Sequence, residues 1–152
     1  MQEKIDDIKN IQQSLWEMYK DFLENKEPER YKVSSGAFVD DHRGPLKYFC
    51  RNLVSTWIPV IDGLAEDIRN NHDVKAKTDH IKYIQNTVWR MYEDFLLDHD
   101  MGKYNQKMGE LARKYHDKGD RQLLSFCQNI AISWCPVINK FAEQFRGGDE
   151  NE

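Results

Sequence analysis

The side chains best suited to chemistry are five histidines (His42, His72, His80, His99 and His116) and three cysteines (Cys50, Cys127 and Cys135). A carboxylate-bridged di-metal site in a helical bundle needs Glu-x-x-His pairs aimed inward, and none of these histidines has a Glu at that spacing. Asp40-Asp41-His42 and Asp98-His99-Asp100 have the composition of ligand sets. Both fall at expected helix ends or loops, where acidic residues and His are usually solvated, so neither a metal nor a cofactor is expected. The chain has no Gly-rich phosphate loop, no G-x-S-x-G elbow, no H-E-x-x-H and no E-E-x-x-E cluster. Catalysis is therefore not the expectation.

Two further groups have binding chemistry. Lys103, Lys107 and Lys114 share one face of an expected helix, and Lys118 and Arg121 extend that stripe if the helix runs on. Such a stripe could track phosphates. Glu110 interrupts it, and the more common role of such a row is a solvated helix face. Trp16 and Trp89 sit at the margins of apolar helix faces, where a Trp either seals the edge of a core or anchors a partner.

The elements that position these residues come in two copies. Residues 8–23 return as residues 81–96 with 10 of 16 positions identical, and residues 46–69 return as 123–146 with 11 of 24 identical. Unrelated segments would agree at roughly one position in sixteen, so this is an internal repeat. In the first block Ile8, Ile11, Leu15, Met18, Tyr19 and Phe22 recur at helical steps, and Ile81, Ile84, Val88, Met91, Tyr92 and Phe95 repeat the pattern. Helices over about 3–25 and 76–98 follow. The last block of each copy has the same periodicity. Gly44-Pro45 suits the start of one helix and Asp120 suits the N-cap of the other. Pro59 and Pro136 lie inside these helices, each two residues after a Trp, and Thr56 and Ser133 lie three before each proline. Gly147-Gly148 is the expected stop of the last helix.

The middles differ. Tyr104, Met108, Leu111 and Tyr115 predict a helix over 101–117. Tyr31, Ser35, Phe38 and His42 stand at the equivalent places, with Pro28 before them and Gly36 among them, so only a short Ser-capped helix from 34 or 35 to 42 is expected. The fold class is all-α: about six helices from a tandem duplication of a three-helix unit, packed as one pseudo-two-fold bundle. Residues 1–147 are expected to form a single co-folded domain, with repeats at about 3–71 and 76–147 and a disordered tail at 148–152.

Composition narrows the functional classes. A net charge of −4 over 152 residues marks neither a strongly basic nucleic-acid binder nor an acidic tail protein. An odd cysteine count does not build a disulfide framework, and Cys50 and Cys127, at equivalent positions among apolar residues, read as buried free thiols. The opening MQEKIDDIKN lacks a signal peptide's apolar run, and no stretch is apolar enough to span a membrane, so a cytoplasmic location is expected. The leading functional expectation is a non-catalytic protein-interaction module, an inhibitor or accessory regulator with a protein partner and no membrane association. A homodimer is compatible with it. The first alternative is a nucleic-acid binder using the Lys103 to Arg121 stripe, and the second is a small-ligand or enzyme site between the repeats.

Overall fold

The computed structural model describes residues 2–151, with side chains placed up to Gly147. It contains six helices: α1 (Gln2–Asn25), α2 (Pro28–Asp40), α3 (Gly44–Arg69), α4 (Lys75–Asp98), α5 (Met101–Lys118) and α6 (Arg121–Asn151). Among the described residues there is no strand. No helix is long and apolar enough to cross a membrane. The chain divides into two compact units, Met1–Val74 and Lys75–Glu152.

In the first unit α1, α2 and α3 all pack on one another. The α1 face of Ile8, Ile11, Leu15, Tyr19 and Phe22 is buried, as periodicity requires. Buried with it are Tyr31, Phe38 and Val39 of α2 and Phe49, Leu53, Trp57, Val60, Ile61 and Leu64 of α3. In the second unit Ile81, Ile84, Val88, Met91, Tyr92 and Phe95 of α4 are buried with Tyr104, Leu111 and Tyr115 of α5. The α6 residues Phe126, Ile130, Trp134, Val137, Ile138 and Phe141 complete that core. Cys50 and Cys127 are buried free thiols, whereas Cys135 is exposed. Burial pushes the Cys50 thiol up to about 12 and the Cys127 thiol up to about 11.

The same two-residue turn joins the first pair of helices in each unit. Lys26 (φ 61°) and His99 (φ 57°) occupy the left-handed region, and their N–H groups donate to the carbonyls of Phe22 and Phe95 at 2.7 and 2.9 Å. A non-glycine residue in that conformation is costly, so its recurrence shows that core packing dictates the turn. Pro59 and Pro136 lie inside continuous helices. The Thr56 hydroxyl donates to the Asn52 carbonyl at 3.0 Å, and the Ser133 hydroxyl to the Asn129 carbonyl at 2.8 Å. These bonds satisfy buried hydroxyls one turn above each proline.

Three boundaries depart from expectation. Helix α2 begins at Pro28, not at Ser34 or Ser35, because proline suits the first turn and Tyr31 gains burial there. Ser35 is no cap: it is buried in the helix, and its hydroxyl donates to the Tyr31 carbonyl at 2.7 Å. Helix α5 stops at Gly119 (φ 71°), so Arg121 does not extend the α5 stripe and instead opens α6. Finally, α6 continues past Gly147-Gly148 to Asn151, because Gly147 does not adopt the left-handed conformation that makes glycine a stop. The α6 backbone is helical up to Asn151, and Glu152 lies outside the described residues.

Candidate functional site

The ligand-like trios turn out to build helix ends. Asp100 caps α5, its Oδ1 accepting from the Lys103 backbone N–H at 2.9 Å, while Asp98 Oδ1 accepts from the Asp100 N–H at 2.9 Å. His99 stacks on Phe145 with ring centroids 3.6 Å apart. In the first unit Asp41 occupies the C-cap position of α2, His42 Nδ1 lies 2.8 Å from the Phe38 carbonyl, and Asp40 faces Lys47 at 3.7 Å. Among the described residues no three His, Cys, Asp or Glu side chains converge on one point.

The basic stripe is broken up by the fold. Lys103 binds Asp98 at 3.1 Å, which raises the lysine pKa. The Asp98 carboxyl is lowered, first by the Asp100 N–H and then by Lys103. Lys107 faces Asp94 at 3.8 Å across α4 and α5. Lys114 places its ammonium 3.8 Å from the centroid of the Tyr83 ring, a cation–π contact. Lys118 is exposed at the end of α5, and Arg121 is exposed on the next helix. Trp16 and Trp89 are half-buried core-edge residues. Trp16 lies 5.6 Å from Tyr19, which packs on Trp57; Trp89 packs on Tyr92 at 5.1 Å and on Trp134 at 6.2 Å.

A groove between α4 and α5 gathers part of the stripe with residues that the motif reading did not single out. It has a volume of about 330 Å³ and is lined by Tyr83, Thr87, Arg90, Met91, Asp94, Lys107, Glu110, Leu111 and Lys114. Met91 and Leu111 are buried and form its apolar floor, whereas Tyr83 is 44% exposed. Arg90 is exposed, and among the described residues its guanidinium has no ion-pair or hydrogen-bond partner. At one end of α4, Tyr115 is fully buried with its hydroxyl 3.0 Å from His80 Nδ1, and burial pushes that phenol up to about 12.

The first unit holds a corresponding groove between α1 and α2. It is lined by Asn10, Gln13, Ser14, Glu17, Met18, Ser34, Ala37, Phe38 and Asp41. A constant spacing of 73 residues relates the two linings: Ser14 to Thr87, Glu17 to Arg90, Met18 to Met91, Ser34 to Lys107, Phe38 to Leu111 and Asp41 to Lys114. The floor stays apolar while two rim charges change sign. The signal was present in the sequence as the 73-residue offset of α1 and α4, once it is carried into the divergent middles. Comparison with protein-family models, with curated proteins and with solved structures finds no match to this chain.

Proposed function

We propose that this chain is a non-catalytic protein-interaction module, an accessory or regulatory protein of the inhibitor type, built by tandem duplication of a three-helix unit. Its docking face is the α4–α5 groove, and its partner presents acidic side chains. The carrying observation is that groove: an apolar floor of Met91 and Leu111 beneath a rim holding Arg90, Lys107 and Lys114. Apolar floors with charged rims suit protein interfaces, where the floor supplies affinity and the rim supplies register and rate. The lining also includes Asp94 and Glu110. Alternating charge of this kind matches a protein surface better than a run of phosphates, and Lys103 and Lys107 already face carboxylates. For that reason the nucleic-acid reading ranks second.

A photo-crosslinking residue at Thr87, inside the groove, tests this in the cell of origin. We expect a covalent adduct with another protein that disappears when Arg90→Glu and Lys114→Glu are combined. The pair should weaken binding by at least about tenfold, equivalent to 1.4 kcal/mol. An adduct to nucleic acid, or no adduct at all, would overturn the proposal.

A further inference from the structure

The two grooves carry rim charges of opposite sign at equivalent positions. Aligned at the 73-residue spacing, four charged positions on these helix pairs reverse sign: Glu17 to Arg90, Lys20 to Glu93, Asp40 to Arg113 and Asp41 to Lys114. All eight residues are exposed. Two paired positions keep their sign in both units, whereas Glu17, Lys20 and Asp40 reverse although each is paired within the first unit. Asp21 and Asp94 are both acidic and both paired across their helices, Asp21 with Arg30 at 3.1 Å and Asp94 with Lys107 at 3.8 Å. Arg30 and Lys103 are both basic and both paired. The asymmetry also shows in the totals. The first unit holds ten basic and fourteen acidic residues and therefore the whole net charge of −4, whereas the second holds twelve of each.

We infer that the α4–α5 groove of one molecule docks the α1–α2 face of a second copy of this chain. This inference rests on the reading of the α4–α5 groove as a docking face and names one occupant for it. The lining residues supply the complement: Glu17 and Asp41 on one copy against Arg90 and Lys114 on the other. Some of these groups have partners in the free chain. Glu17 lies 3.2 Å from Lys20, and Lys114 covers Tyr83. These contacts are exposed and weak, so exchanging them across an interface loses little. The contact joins two different faces, so it is heterologous and leads to a closed ring or an open head-to-tail chain. Contacts made by exposed charges are screened by salt, which makes the assembly weak and ionic-strength dependent.

Sedimentation velocity of the full chain tests this. At about 0.02 M salt, where screening reaches far beyond contact distance, a concentration-dependent rise in mass is expected; at about 0.5 M it should vanish. The variant Glu17→Arg/Asp41→Lys and the variant Arg90→Glu/Lys114→Glu should each remain monomeric at low salt. Mixing them should restore association, because each reversed face then meets its complement. Unchanged circular dichroism shows that the variants fold. A monomer at every salt concentration, or association that survives both variants, would overturn the inference. If the Thr87 crosslink captures a different protein while the chain stays monomeric, only this inference fails and the docking groove stands. If self-association appears and both variants abolish it, but mixing does not restore it, the reversed-charge pairing is wrong.

Discussion

The α1–α2 face and the α4–α5 face have equivalent floors but different rims. Met18 and Phe38 underlie the first, and Met91 and Leu111 underlie the second. Glu17 and Asp41 mark one rim, and Arg90, Lys107 and Lys114 mark the other. Changing the floor alters packing, which is felt at the level of single methylenes, whereas an exposed charge can change sign at little cost in stability. The rims can therefore differ while the floors stay alike. The turn between the paired helices follows the same logic. Its left-handed residue is Lys26 in one unit and His99 in the other, so the geometry is shared and the chemistry is not.

Substitutions can break this comparison, beginning with what the two units share. Trp57 and Trp134 are equivalent and almost wholly buried, and each packs on a tyrosine of its unit's first helix at about 5 Å. Trp57→Ala and Trp134→Ala should each cost about 3–5 kcal/mol in chemical denaturation. Similar losses would confirm that the cores are equivalent, and a large difference would show that one unit dominates stability. The second test concerns a feature found in only one unit. Asp100 caps α5 through its side chain, whereas Glu27 at the corresponding position of α2 makes no side-chain cap bond. Asp100→Ala should cost about 1 kcal/mol and Glu27→Ala less than about 0.5 kcal/mol, measured as shifts in urea midpoint. The smallest effect has the opposite sign. Gly36 and Gly109 occupy equivalent exposed positions inside α2 and α5, and a Cβ added at either meets nothing within 4 Å. Each Gly→Ala change should stabilise by about 0.5–1 kcal/mol in thermal unfolding, with the two gains alike.

The outer helices were legible because their apolar residues recur at helical steps over about four turns or more, and local periodicity survives any tertiary arrangement. Asp120 was readable as a cap for the same reason, and its Oδ1 accepts from the Leu123 N–H at 3.0 Å. Helix α2 was only partly legible. Pro28 and Gly36 read as interruptions, yet Pro28 forms the first turn, and burial of Tyr31, Phe38 and Val39 outweighs the cost of one glycine. The Lys stripe was visible as spacing, but spacing could not show that Asp94 and Asp98 stand within reach of Lys107 and Lys103.

By itself, then, the sequence determined an all-α chain of six helices, with the aromatic residues that fill the cores. Amphipathic periodicity and caps are local properties, written within a few residues of where they act. Only the tertiary structure decided which charges are engaged and which face outward. That depends on how neighbouring helices are set against one another, where a few ångströms separate the Lys107–Asp94 contact from an Arg90 left open at the rim of the groove.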